Sequence, residues 1–547
     1  MTERMKGILT GIGKWTKVRL GSRVLILFLA ALFLAGCSEI RSFYTDRGSG
    51  QRDVRVFCDG MQYLSKVPAD AAVADVLRLL NIQAGAQDIV IPSLPLAVPP
   101  DGEIRIIRVT SEDVTTEQVI PFQSQTVRNE SIPDGETRII QQGRNGTRQI
   151  TTRYTYEDGV QSSKTVVSAV TVKEPVPEIL MLGARAEYAP IRIPGRLIYI
   201  SDGNAWMMEG STENRTPLVS SGDLDGRILD LSSDGKWLLF SRSGKSVEVN
   251  GLWMLDLSNW NAEPISLRVS NVLHFASWLP GNTRRFVYST VEPSDQTPGW
   301  KALNDLRMQF VSDTGMLMTQ EEILPPDDSG NYSWWGTEFA LSDDARQLLF
   351  ATPESIGVTD RLSGEKRDLV RFTPYEKTRS DWAWVPGFCW NSENNGFYFT
   401  FHGKTDGSVQ TYDPTDYHIM FYDLQTGGLS TVIEHTGLFS YPSMSPRFSS
   451  GRSYLAWLQT DLPQQVESER YHIMISDPDG NNPRIVYPAK GSSGYISPQH
   501  LIWSPETTSG SSWIAFLTDG NILLVDPMAG IYDQITSDGS ITKFIWE

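Results

Sequence analysis

The chain has 547 residues, 40% of them hydrophobic and 21% charged, so a packed core can form and wholesale disorder is excluded. Three cysteines exclude a disulfide scaffold and a multi-cysteine metal cluster. The net charge is −17, and residues 37–547 alone carry 42 basic against 64 acidic groups, a surface that repels nucleic-acid phosphate.

Six basic residues up to Arg23 precede an apolar run at 24–35 (VLILFLAALFLA), then Gly36 and Cys37. Twelve apolar residues fall short of the ~20 that a spanning helix needs, and a basic flank followed by small residues fits a secretory signal. Leu34-Ala35-Gly36-Cys37 resembles the lipobox of bacterial lipoproteins. The resemblance implies acylation of the Cys37 thiol, cleavage just before it, and a lipid anchor outside the cytoplasm, on the cell membrane or outer membrane. The plainer alternative is an ordinary signal peptide with an incidental cysteine. Cys58 and Cys389 lie far apart in sequence and are expected to stay unpaired.

Residues 37–51 are polar and read as a tether. Alternation at 53–58 predicts a strand, Asp59-Gly60 a hairpin turn, and Val73, Val76, Leu77 and Leu80 a helix. Strands are predicted again at 89–91 and 103–109. This order at 52–109 resembles the small α+β ubiquitin-like module that precedes five-glycine (G-five) domains. Residues 110–185 then resemble the G-five domain itself, with glycines at 135, 143, 146, 159 and 183, hairpin signals at Asn145-Gly146 and Asp158-Gly159, and strands at 138–141, 148–156 and 165–172. The resemblance implies a cell-surface protein that touches N-acetylglucosamine-type wall glycan. Tyr154 and Tyr156, two apart on one strand face, could stack on sugar or could serve as plain cross-strand neighbours.

From residue 190 a pattern recurs: a strand ending in a large apolar residue, a polar turn, then further strands. The strand-ending residue falls at Leu231, Trp278, Leu341, Trp390, Phe448, Trp503 and Trp546, at intervals of 47, 63, 49, 58, 55 and 43. Residues 417–420 and 471–474 are the same tetrapeptide, Tyr-His-Ile-Met. Such spacing predicts a seven-bladed β-propeller over 190–547 and resembles the TolB-type, WD-like family. Strand 541–547 lacks a following partner and 196–200 lacks a preceding one, so the two are expected to pair. The chain is thus expected to be mainly β.

The chemistry of an enzyme is hard to find. No G-x-S-x-G, H-E-x-x-H or P-loop motif occurs, and the six histidines are scattered. His418 and His472 sit at equivalent repeat positions, which repeat ancestry explains without a metal. No catalytic residue, metal or cofactor is assigned. Paired carboxylates need only converge in space, so a hydrolase with its site in the propeller mouth stays open. Aromatics do recur where inner strands begin: Trp334 and Trp335, Trp382 and Trp384, Phe439 and Tyr441, then Tyr495. They could meet a glycan or protein partner at one mouth, or could pack between blades. A non-enzymatic, lipid-anchored envelope protein with a binding or scaffolding role is the expectation.

Overall fold

The computed structural model describes residues 50–129, 135–183, 188–244, 247–281, 284–312, 314–375, 382–403, 416–462, 470–488 and 494–547. Cys37 and the apolar run before it lie outside the described residues. The chain is mainly β. It divides into two compact units, one reaching Pro121 and resuming over 145–175, the other made of 122–144 and 176–547.

The first unit opens with β1 (Gln51–Cys58) and β2 (Met61–Pro68), joined by Asp59 and Gly60 at φ +53° and +72°, the left-handed pair of a tight hairpin. Helix α1 (Val73–Leu79) follows, then β3 (Ile89–Ile91) and β4 (Glu103–Ile107). The sheet order is β2-β1-β4-β3, with β4 parallel to β1. Val54, Val56 and Cys58 alternate inward from β1 and meet Ile104 and Ile106 of β4 and Val73, Val76 and Leu77 of α1. No side chain caps α1. Its first amides, Val73 and Ala74, instead donate to the carbonyls of Leu96 and Leu94 at 2.9 and 3.1 Å.

A second sheet in this unit joins β5 (Val109–Ile120), β8 (Gly146–Glu157) and β9 (Val160–Lys173), with β8 central. Most of its side chains are at least partly exposed, so cross-strand polar pairs support it. Arg153 grips Asp113 with two bonds of 2.8 Å, and Thr115 meets Thr151 at 3.0 Å. Arg108 ties the two sheets together. Its guanidinium holds Asp59 (2.8 and 3.1 Å) and Asp88 (2.7 Å), while its own amide donates to Asp158 in the β8–β9 turn at 2.9 Å. That bond to Arg108 holds the Asp59 carboxyl down to about 2.

The glycines of this region do different jobs. Gly135 and Gly159 take φ near +80° in turns, as positive-φ positions should. Gly143 and Gly146 do not: a Cβ at Gly143 would strike the Phe122 ring at 2.3 Å, and one at Gly146 would strike the Lys173 carbonyl at 2.5 Å. Asn145-Gly146 is therefore not a hairpin turn. β7 (Thr137–Gln141), before it, pairs with β10 (Glu178–Gly183) in a different sheet from β8. β6 (Ser124–Asn129) completes that sheet in the second unit.

The rest of the second unit is a series of seven sheets among the described residues. The first joins β11 (Arg192–Ser201), β12 (Asn204–Val219) and, from the far end of the chain, β39 (Ile541–Trp546). The pairing expected between residues 196–200 and the last strand is present: Leu197 faces Trp546 and Tyr199 faces Phe544. Six four-stranded antiparallel sheets follow in chain order. Their first strands are β13 (Leu224–Leu231), β17 (Ala276–Trp278), β23 (Glu338–Leu341), β27 (Phe388–Trp390), β31 (Ser443–Met444) and β35 (Ile502–Trp503). The third sheet also carries a small inserted hairpin, Val291–Pro293 against Trp300–Ala302.

Second strands explain why these sheets stack. They are nearly continuous apolar runs, WLLF at 237–240, QLLFA at 347–351 and GFYFTF at 396–401, as strands buried on both faces require. Alternate residues serve opposite neighbours. Phe240 packs toward Ile198 of the first sheet, while Leu239 packs toward Phe286 of the third. Likewise Phe350 meets Val287 of the third sheet, and Leu349 meets Phe397 of the fifth. Tyr398 continues to Trp457 in the sixth, and Leu458 to Phe516 in the seventh. Ala515 and Leu524 of the seventh then meet Leu197, Tyr199 and Trp546 of the first.

Five of the seven strand-ending residues of the sequence pattern close a first strand, and Trp546 closes β39, which stands beside the first strands β13 and β35. Phe448 lies four residues past β31, which is cut short at Met444. After three of them the turn works through a serine: Ser232, Ser342 and Ser504 accept from the amides of Trp237, Gln347 and Trp513 at 2.9, 3.1 and 2.9 Å. The tryptophans tie first strands together. Trp390 Nε1 donates to the Ala340 carbonyl (3.1 Å) and Trp503 Nε1 to that of Ser443 (3.3 Å). Cys58 and Cys389 are both free thiols.

Candidate functional site

First strands stand next to one another: β13 beside β39 and β17, β27 beside β31, and β35 beside β39. That arrangement gathers charge from distant parts of the sequence. Lys543 on β39 interacts electrostatically with Glu338 on β23 and with Asp230, Asp225 and Arg227 on β13. All but Arg227 keep only partial solvent contact. Being enclosed by protein raises Asp230 to about 7, helped by Glu547 and opposed by the Trp278 amide, which donates to its Oδ2 at 2.7 Å, and by Lys543. Burial likewise raises Glu338 to about 7 against the pull of Lys543. Lys543 itself is lowered by burial, and Glu338 and Asp230 offset part of that.

Two trains of aromatic rings lead to histidines at the starts of first strands. In one, Trp334 meets Trp335 (centroids 5.7 Å apart), Trp335 meets Trp300 (5.4 Å), and Trp300 meets His274 (4.7 Å). Gly336 makes room for that histidine, since a Cβ there would sit 2.8 Å from its Nε2. In the other, Tyr375, Trp382, Phe439, Tyr441 and His500 follow at 6.3, 6.4, 6.0 and 4.4 Å. Burial lowers His274 to about 4.

The structure separates the predicted aromatics. Trp334 and Trp335 share one train, and Trp382 and Tyr441 share the other. Tyr495 stands apart, with His472 at 5.4 Å and Arg470 over its ring at 5.1 Å. Trp384 is 2% exposed, packed with Tyr375, Tyr417 and Leu438 and bonded to the Leu438 carbonyl at 3.1 Å, which leaves it no face for a ligand. Tyr154 and Tyr156 are half-buried on β8, and Lys164 Nζ sits 5.4 Å over the Tyr154 ring. Sequence reasoning missed Trp300, His274, His500 and the Asp230–Glu338–Lys543 group. The phase of the repeat, which puts the histidines at the starts of first strands and the charged group on strands that stand together, could have pointed to all but Trp300, which lies in the inserted hairpin.

Beside the Trp334–Trp335 pair lies a polar cleft of about 470 Å³, lined in part by Asp327, Tyr332, Glu354, Lys366, Asp368 and Arg371. The loop that carries the tryptophans is fixed. Asn304 Nδ2 donates to the carbonyls of Asp327 (2.8 Å) and Ser333 (2.9 Å), and Glu354 accepts the Asn331 amide at 2.8 Å. A bond from the Ser329 side chain, with Lys366 3.8 Å away, keeps the Asp327 carboxyl low and charged. Such a cleft offers hydroxyls, carboxylates and an aromatic rim, the inventory a hydrated sugar or polar peptide needs.

A G5 domain is found at residues 111–185. Over 134 residues, 24% of this chain, the sequence is 25% identical to the resuscitation-promoting factor Rpf2 of Corynebacterium glutamicum. The matched part spans 36% of that relative's length. Among solved structures, the G5 domain of IgA1 protease is 25% identical and 93% covered, over 14% of this chain, with a TM-score of 0.13. Propeller-like structures also match, among them a study of two prolyl endopeptidases at 12% identity, 63% of this chain, 49% of that chain and a TM-score of 0.44.

Proposed function

We propose that this chain is an envelope lipoprotein, anchored through acylated Cys37, whose G5 region contacts N-acetylglucosamine-type wall glycan while a seven-bladed, TolB-type propeller presents a platform to a protein or glycan partner. The G5 domain at 111–185 carries this reading, because a domain shared with a resuscitation-promoting factor speaks for a cell-wall-related binding role outside the cytoplasm. Seven sheets packed face to face, the last against the first, support the propeller. The β2-β1-β4-β3 sheet with α1 against it supports a ubiquitin-like module at 52–109. The cleft beside Trp334 and Trp335 is the platform's best candidate contact.

Purified cell wall mixed with residues 38–547 tests the wall contact. Deleting residues 110–184 would be a poor control, since Met181 belongs to the core that holds Leu197 and Trp546. The pair Tyr154→Ala and Tyr156→Ala removes two ring faces and spares that core. Retention is expected to fall about fivefold, the loss of roughly 1 kcal/mol of binding. No retention of the parent chain sinks the reading. Separately, Cys37→Ala is expected to move the full chain from the detergent phase to the aqueous phase, and unchanged partitioning would refute the anchor.

A second reading, a hydrolase, has one observation in its favour: Asp230 and Glu338 are two carboxyls tuned to about 7 around a common lysine. Asp230 already has a structural duty, because it accepts the Trp278 amide and joins β13 to β17. Binding therefore remains the stronger conclusion.

A further inference from the structure

The fifth sheet carries a second cluster of titratable side chains. His418 stands on β29 (Tyr417–Asp423), and Asp416 precedes it by two residues, so both project from one face of the strand. β30 (Leu429–Ile433) runs back antiparallel, and the chain brings His435 to the same place two residues beyond it. His435 takes a φ of +56°, an uncommon conformation outside glycine, to direct its ring there. One ligand atom from each of the three residues lies within 4.8 Å of the other two. Asp416 Oδ1 is 2.7 Å from His435 Nδ1, and Asp416 Oδ2 is 3.4 Å from His418 Nε2.

The telling atom is His418 Nε2. His418 is 2% exposed, and among the described residues its Nε2 has no hydrogen-bond partner despite the nearby carboxylate. A plain Asp416–His435 pair accounts for two members and leaves this buried nitrogen idle, which native interiors avoid. A cation among the three would use its lone pair. The His435 amide approaches His418 Nδ1 at 3.4 Å, the outer limit of hydrogen bonding, and so constrains the tautomer little.

We propose that Asp416, His418 and His435 bind a divalent transition-metal ion of the Zn²⁺ class. Two imidazoles and one carboxylate suit an ion of borderline softness, whereas Ca²⁺ and Mg²⁺ ask for oxygen throughout. Three protein ligands leave a tetrahedral ion one open position. His435 is exposed and also lines a cleft of about 590 Å³ with Glu434, Trp457, Gln459 and Met474, a space beside the site that is able to take a water or a donor group from a partner.

The test uses the detergent-solubilised full chain, stripped with a chelator and titrated with Zn²⁺ by calorimetry and with Co²⁺ by its visible ligand-field band. Uptake of one equivalent at this site is expected. His435→Ala and Asp416→Asn, both away from the buried core, are expected to weaken it about tenfold or more while near-ultraviolet dichroism shows the fold kept. His472→Ala, which alters the neighbouring His472–Asp461 pair (3.0 Å), is expected to bind as the parent does. The proposal is overturned if the parent takes up neither ion. It also fails if both Asp416 and His435 variants bind as the parent does, or if only His472→Ala loses the ion.

Discussion

Removal of residues 541–547 is expected to lower the melting temperature of the second unit by roughly 10 °C or more, in one cooperative step. β39 is the edge strand of the first sheet that stands among the first strands, and Ile541, Phe544 and Trp546 are each 5% exposed in the core shared with the seventh sheet. Burial of three such side chains is worth about 6 kcal/mol, comparable with the whole stability of many domains. The loss also strips β11 of one of its two partners and leaves an open edge where Arg196 and Glu547 now exchange two backbone bonds of 2.6 and 3.0 Å. Trp546→Ala is the milder form, expected to cost about 3–5 kcal/mol through the cavity it leaves. It also abandons the bond from Nε1 to the Pro194 carbonyl at 2.7 Å. Scanning calorimetry on the truncated and parent chains decides the matter. If the truncated chain melts as the parent does, the first and last strands do not hold the second unit together.

That strand was legible in the sequence because an odd half-repeat at each end has a physical meaning: an unpaired strand must find a partner. Alternation was equally plain where one face is buried, as in β1, whose Val54, Val56 and Cys58 turn inward. Glycine chemistry was legible only in part. Asp158-Gly159 makes the expected turn, but Asn145-Gly146 carries a like signal and makes no hairpin, because close approach of Lys173 decides that position and no local pattern encodes it. The charged group was not legible at all. Asp230, Glu338 and Lys543 lie 108 and 205 residues apart, and each alone reads as an ordinary strand residue. The aromatics were visible as a recurrence at strand starts. Which of them keep a free face depends on neighbours: Leu438 and Tyr417 bury Trp384, while Trp334, against Trp335, stays only partly covered.

Asp230→Asn is expected to stabilise the second unit at pH 8 and to change nothing near pH 4. In the folded chain the Asp230 carboxyl titrates near 7, against an ordinary 3.8 once unfolded. Between those values the folded state holds a proton that the unfolded state has released, so stability falls as pH rises. The penalty is absent below about pH 4 and complete above about pH 7. The difference corresponds to at most about 4 kcal/mol with the pull of Lys543 already included, and screening through the partial solvent contact of Asp230 reduces the expected gain to about 2 kcal/mol. Asparagine keeps an oxygen for the Trp278 amide, so β13 and β17 stay joined. Asp230→Ala gives up that acceptor and is expected to destabilise at both pH values. Melting curves of the three chains from pH 4 to 8 provide the measurement. Should Asp230→Asn be less stable than the parent at pH 8, the attraction between this carboxylate and Lys543 outweighs the cost of enclosing it, and the charged pair is a support of the fold rather than a strain upon it.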